Sequence, residues 1–291
     1  AEEKNILADC HIHMALDGEN WRAAIGRHRE RPDEACIRRT LEVYRDRGFT
    51  YLRDGGDKWG VGLRAREMAG AYGIRYVTPC APLCMAGHYG GFIGEKYESL
   101  KEFTALVEKQ KRLGADFIKL MVSGLMDFDR CGVLTEPGLA PQIIREAIHI
   151  AKDLGFAVMA HANGPETVLP AVEAGVDSIE HGAYLNRETL EAMAEAKTVW
   201  VPTLSAVGNL RGTGRFDEKE VEKILESAME NVNTFASLGG ILAPGSDAGA
   251  WAVPHGGMTE YGLLEEALGK DCGKLLDRGI QTVEALFTYA G

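Results

Sequence analysis

Between Gly114 and Tyr184 the chain carries three apolar runs, ADFIKLMVSG, GFAVMAHANG and GVDSIEHGAY, each ending at or enclosing one metal-capable residue with glycine close behind. The residues so placed are Lys119, His161 and His181, separated by roughly one helix plus one strand. That rhythm is the one of βα units in a parallel barrel, whose chemistry sits at the C-terminal strand ends. It predicts an α/β chain, a TIM-type (β/α)8 barrel, with a metal site assembled from several strand tips.

The first apolar run, Asn5 to Met14, ends in ADCHIHM. Strand alternation sends His11 and His13 to one face and Cys10 and Ile12 to the other, so one strand end offers two imidazoles. Near the other end of the chain, ILAPGSDAG stops at Asp247, and His255 in VPHGG is close enough in sequence to share the same mouth. Lys119 lies within IKLMV, where an unpaired ammonium is costly to bury. Two readings remain open. The amine snorkels to the rim, or it loses its proton beside cations and takes up carbon dioxide as an anionic carbamate able to bridge two metals.

The chain divides into eight strand-helix repeats. Strands are expected at 5–14, 49–54, 74–79, 115–122, 157–160, 176–180, in TVWVPTLSA and at 241–243, the seventh ending without a metal-type ligand. The later helices are expected at 142–154, 166–174, 187–196, 218–238, 260–268 and 282–289. The arginine-rich segment 16–39 reads as a solvated loop and helix face, with a cap over the barrel mouth as the alternative. CAPLCMAGHYGGFIGE, which contains His88, reads as a long glycine-rich loop, either a substrate wall or a flexible surface loop. Residues 125–141 form another excursion over the mouth.

With 291 residues, 45% of them hydrophobic and 26% charged, the chain can bury a core large enough for one barrel domain spanning 1–291. A net charge of -11 argues against a nucleic-acid or anionic-membrane partner and leaves a small-molecule substrate. No apolar stretch approaches the roughly 20 residues of a membrane span. Six scattered cysteines suit free thiols in a reducing, cytoplasmic setting. Cys80 and Cys84 have a spacing compatible with a metal, a weak signal by itself.

The ordered set ADCHIHM, IKLMVSG, AHANG, SIEHGAY and APGSDAG resembles the amidohydrolase superfamily over nearly the whole chain. The wording is nearest the branch of Xaa-Pro and Xaa-Arg dipeptidases and imidazolonepropionase-like proteins. The resemblance implies a binuclear centre of two divalent ions, commonly zinc. His11 and His13 would bind the first metal, His161 and His181 the second, and a carboxylated Lys119 would bridge them. Asp247 would complete the first metal and act as the catalytic base on a metal-bridged hydroxide. His88 and Tyr184 match positions facing substrate, while Arg53 and Asp54 match a structural RD pair. The implied reaction is cleavage of an amide in a dipeptide, N-acyl amino acid or cyclic amide. A lactone, ester or phosphotriester hydrolase on the same centre and a non-catalytic binding protein are the alternatives. The small β-sandwich of many relatives is not expected in these residues, which leaves a homo-oligomer open, and Leu125 departs from the glycine usual after VSG.

Overall fold

The computed structural model describes residues 7–288, so Asn5 and Tyr289, the ends of the expected first strand and last helix, lie outside the described residues. The strand β1 (Leu7–Ile12) is followed by α1 (Trp21–His28) and α2 (Glu34–Asp46), and β2 (Phe49–Asp54) by α3 (Val61–Ala69). After β3 (Arg75–Val77) come the short strands β4 (Leu83–Met85) and β5 (Glu95–Tyr97) and then α4 (Leu100–Leu113). Four further repeats follow: β6 (Ile118–Met121) with α5 (Pro141–Asp153), β7 (Val158–Ala162) with α6 (Pro165–Glu173), β8 (Ser178–His181) with α7 (Arg187–Glu195), and β9 (Val199–Val201) with α8 (Ser205–Gly208) and α9 (Glu218–Ser237). The last is β10 (Ile241–Leu242), with α10 (Thr259–Leu268) and α11 (Gly273–Leu286).

All eight expected strands are present, and every strand pair is parallel. They form two sheets, in the orders β1-β2-β3 and β10-β9-β8-β7-β6-β4-β5. Main-chain hydrogen bonds join both edges of the three-stranded sheet to the larger one. Cys10 N donates to the Pro244 carbonyl at 2.9 Å and Asp247 N to the His11 carbonyl at 2.8 Å, while on the far side Asp116 N donates to the Thr78 carbonyl at 2.9 Å.

The helices lay apolar stripes on the strands. In α5 the buried residues Ile144, Ala147, Ile148 and Ala151 recur at helical spacing and pack with Ile118, Val158 and Ile179. A second apolar group, with Ala8, Cys10, Tyr51, Val77, Phe117, Met159, Val201 and Phe287, lies among the strands themselves.

Three expectations need correction. The glycine-rich stretch after β3 is not loop throughout, because β4 lies within it and β5 starts at its last residue, and β4 pairs with both β5 and β6. Cys10 and Ile12 do not share surroundings: Cys10 packs in the group just named, Ile12 with Ile37, Leu41 and Val61. The β1–β2 register shifts between Asp9 and Ile12, which breaks simple alternation there. Helix α11 begins at Gly273, well before the expected start at 282, although glycines at 273 and 279 lower intrinsic helix propensity. Gly279 has a packing reason, since a Cβ there would run into the carbonyl of Leu242.

Gly279→Ala is therefore expected to destabilise the fold by about 3 kcal/mol through overpacking. Ala at the open position Gly262, where a Cβ meets nothing within 4 Å, is expected to be neutral or stabilising. Thermal melts of the two variants check the contrast.

Candidate metal centre

The strand ends surround one cavity of about 830 Å³, lined in part by His11, His13, Lys119, His161, His181 and Asp247. Four imidazoles run through it as a chain. Ring centroids are 5.2 Å apart from His13 to His11, 5.1 Å from His11 to His181 and 4.6 Å from His181 to His161.

Three of these rings have one nitrogen committed to an acceptor. His11 Nδ1 lies 2.8 Å from Glu180 Oε2, His161 Nε2 3.1 Å from the Gly124 carbonyl, and His181 Nδ1 2.7 Å from Thr203 Oγ1. A carboxylate and a carbonyl only accept, and the Thr203 hydroxyl already donates to the Pro202 carbonyl at 2.8 Å. Each committed nitrogen therefore carries the ring proton, and the other nitrogen keeps a lone pair for a cation. Burial holds His11 and His181 well below the usual imidazole range and pushes His161 down to about 3, with the Lys119 charge the next cause at His11 and His161. These rings are neutral near pH 7.

Lys119 is 1% exposed, and its Nζ has no hydrogen-bond partner. It does not snorkel to the rim. Burial pushes it from 10.5 to about 8 against the opposing charge of Glu180, which raises the share of free amine at neutral pH roughly 300-fold. Asp247 Oδ1 stands 3.1 Å from His13 Nε2 and 3.5 Å from His11 Nε2. His11, His13 and Asp247 each offer a ligand atom within 4.8 Å of the others, the one such histidine, cysteine or acid group among the described residues. His11 Nε2, His13 Nδ1 and Lys119 Nζ are buried without hydrogen-bond partners, and neutral imidazoles with a carboxylate form a donor set suited to divalent ions.

The backbone turns sharply to bring these groups together. His181, Thr203 and Asp247 adopt left-handed φ of 68°, 50° and 60°, a strain of roughly 1–3 kcal/mol each. Specific contacts hold the turns. The Trp200 indole donates to the His181 carbonyl at 3.0 Å, and Asp9 accepts the Ser246 N–H at 2.8 Å and its hydroxyl beside it. Burial raises the Asp9 carboxyl to about 6, opposed by the Ser246 hydrogen bonds. Gly55 is needed for close approach, since a Cβ there would strike the His13 ring.

Residues 5–283 match the Amidohydrolase family. The chain belongs to that family. Ochratoxinase of Aspergillus niger is 26% identical over 229 residues, which take in 70% of this chain and 44% of that protein, so the match spans less than half the relative's length. An uncharacterized protein of Mycobacterium tuberculosis is 27% identical over 285 residues, 91% of this chain and 71% of that protein. A crystal structure of a Xaa-Pro dipeptidase with bound methionine in the active site shares the fold with a TM-score of 0.78 at 22% identity, covering 98% of this chain and 77% of that one. The crystal structure of A. niger ochratoxinase gives a TM-score of 0.81 at 19% identity, covering 97% and 71%.

Other expected residues of this amidohydrolase fall outside the cavity lining. His88 Nδ1 faces Glu136 Oε1 at 3.6 Å, and Tyr184 has a buried hydroxyl without a partner. Tyr89, next to His88, lines the cavity with its ring 5.1 Å from that of His161. His255 does not share the mouth, because Nε2 donates to the Leu16 carbonyl at 2.9 Å and Nδ1 meets the Tyr44 hydroxyl at 3.2 Å. Cys80 and Cys84 are free and belong to no metal-ready group among the described residues. The arginine-rich segment caps the mouth rather than forming only a solvated face: Trp21 and Arg22 of α1 line the cavity, as do Asp127 and Phe128 of the 125–141 excursion.

Sequence reading missed Thr203 and Glu180. The signals available were a threonine at the end of the seventh strand and a carboxylate directly before His181. Glu180 also accepts from Arg53 Nη2 at 2.8 Å, and both side chains are wholly buried. Arg53 is structural, as expected, donating to the Cys10 carbonyl at 2.7 Å and Ser178 Oγ at 2.9 Å. Asp54 accepts from the Met14 N–H at 3.2 Å and the Thr78 hydroxyl at 3.0 Å. No helix among the described residues is long and apolar enough to cross a membrane.

Glu180→Gln removes the partner charge of buried Arg53 and weakens the fixation of the His11 proton. The expected result is a loss of about 3 kcal/mol in stability and a roughly 10- to 100-fold weaker affinity for divalent metal, read by thermal melting and metal titration.

Proposed function

We propose that the chain hydrolyses an amide bond in a dipeptide, an N-acyl amino acid or a cyclic amide, with two divalent ions, zinc in the first instance, at one end of a closed eight-stranded (β/α)8 barrel forming one domain. The observation that carries this reading is Lys119, fully buried without a hydrogen-bond partner among neutral imidazoles. The hydrogen bonds that join both edges of the three-stranded sheet to the larger sheet support closure of the barrel. Relatives named Xaa-Pro dipeptidase and prolidase support the amide class.

His11, His13 and Asp247 would hold one ion and His161 and His181 the other, with Lys119 between them as a carbamate. The free amine of Lys119 would add to carbon dioxide with release of one proton, and the divalent ions held by the imidazoles and Asp247 would offset the anion so formed. Bound divalent ions supply polarisation of the scissile carbonyl and a water acidified toward neutrality. Asp247 takes the proton of the attacking water and passes it to the leaving nitrogen, so one carboxylate serves both half-steps. Its left-handed backbone, fixed through the Asp247 N–H to His11 carbonyl bond of 2.8 Å, aims the carboxylate at the cavity. We further propose that Tyr184, through its unpartnered hydroxyl, and His88 contact substrate from behind the present lining.

The test is a panel of dipeptides, N-acyl amino acids, cyclic amides and lactones offered to the zinc-loaded protein. Turnover of at least one amide class is expected, with Asp247→Asn lowering kcat by roughly 10²- to 10⁴-fold while most metal is retained. Turnover of lactones alone would overturn the amide reading. Elemental analysis provides a separate check: Lys119→Ala is expected to lower the metal content from two ions per chain to one or none, and wild-type protein holding a single ion would remove the bridging role.

A further inference from the structure

The cavity extends beyond the metal-ready residues to a rim whose chemistry the amide reading does not use. That rim carries four charged side chains, Glu19, Arg22, Asp127 and Arg215. Asp127 is taken by Arg130, whose Nε donates to it at 2.7 Å. Arg22 lies over a single ring, that of Trp21, at 4.4 Å. Arg215, like Arg22, has no carboxylate within ion-pair distance and no side-chain hydrogen bond among the described residues, but it is framed by two rings where Arg22 meets one.

Two rings nevertheless hold Arg215 in place. Its Cζ lies 4.2 Å from the Trp251 ring centroid and 5.3 Å from that of Phe216, and the two rings meet edge-on at 6.2 Å and 80°. Phe128 extends this wall, with its ring 5.2 Å from Phe216. A guanidinium stacked on aromatic faces keeps its N–H donors in the plane, at the free edge, where they match the two oxygens of a carboxylate. The backbone bearing it is itself held, with Gly212 N donating to the Glu218 carboxylate at 3.0 Å and Asp217 N to Asp129 Oδ1 at 2.8 Å. Trp251 remains 37% exposed, a large aromatic surface facing a space of about 830 Å³, more than two small residues need.

We propose that Arg215, framed by Trp251 and Phe216, binds a carboxylate of the substrate and that the aromatic wall takes a large apolar group beside it. The preferred substrate is then an anionic amide with a bulky aromatic or apolar portion. This assignment rests on the amide-hydrolase reading for its use in catalysis, but its binding chemistry is tested without turnover.

The binding experiment compares 2-naphthoate with 2-naphthamide on the metal-loaded protein by calorimetry, in wild type, Arg215→Gln and Trp251→Leu. Wild type is expected to bind naphthoate at least tenfold more tightly than naphthamide. Arg215→Gln abolishes that preference, and Trp251→Leu weakens both ligands together. A preference for naphthoate that persists undiminished in Arg215→Gln places the carboxylate elsewhere, at the metal centre for example, and overturns the proposal, as does equal affinity of wild type for the two ligands. Turnover is read separately with N-(2-naphthoyl) amino acids and their carboxamides. Arg215→Gln is expected to raise KM for the acids about tenfold with kcat little changed, and to leave the carboxamides unaffected. An equal effect on both overturns the proposal. If wild type turns over neither while the Arg215-dependent naphthoate preference holds, the amide reading fails and the carboxylate site stands.

Discussion

The arrangement of the strand ends depends on a buried ion pair. Arg53 and Glu180 are both fully excluded from solvent, 2.8 Å apart, on strands β2 and β8 that do not pair with each other. Burying two such charges costs several kcal/mol per ion unless the remaining donors and acceptors are matched. Here the matching is extensive: the Cys10 carbonyl and Ser178 hydroxyl accept from Arg53, His11 donates to Glu180, and the Phe287 ring lies 4.3 Å from the guanidinium carbon. One pair thus ties β1, β2 and β8 to the residue that caps α11. The same contacts that offset desolvation also decide which nitrogen of His11 faces the cavity. Stability and metal readiness are for this reason not separable at Glu180.

Strain is distributed in the same way. By alternation along β8, Glu180 and His181 would point to opposite faces. The left-handed φ of 68° at His181 turns its ring to the side where His11 and His161 stand. Such a conformation persists only where neighbours over-determine it. Trp200, wholly buried against Phe235 at a ring distance of 5.4 Å, supplies that constraint by donating to the His181 carbonyl. The Asp247 turn has its own anchor in Asp9, more than two hundred residues earlier in the chain.

What could be read in the sequence follows from this division. Apolar runs stopping at His161, His181 and Asp247 are local signals, because a parallel strand buried on both faces has to be apolar until it reaches the mouth. Lys119 was visible for the same reason, as a charge inside such a run. Glu180, Thr203 and Ser246 were not, since each acts through a partner far away in sequence and looks locally like an ordinary polar residue at a strand end. The strands β4 and β5 were hidden by glycines that usually mark loops, and the start of α11 by Gly279, whose reason is contact with Leu242 on another element. Arg215 could not be told from the other surface arginines until Trp251 and Phe216 were placed around it.

The charge balance of the cavity runs opposite to that of the whole molecule. A chain of net charge -11 repels anions at long range, yet over more than about 8 Å that field is largely screened at physiological ionic strength. Inside the cavity His11, His161 and His181 contribute no charge near pH 7, because burial keeps them neutral, and Lys119 contributes less than an ordinary lysine. On the proposed reading, local attraction for an anion would come from divalent ions at one end and from rim arginines, Arg215 framed by two rings among them, at the other. On that reading, selection would be made at short range inside the cavity rather than by the field that acts at the surface.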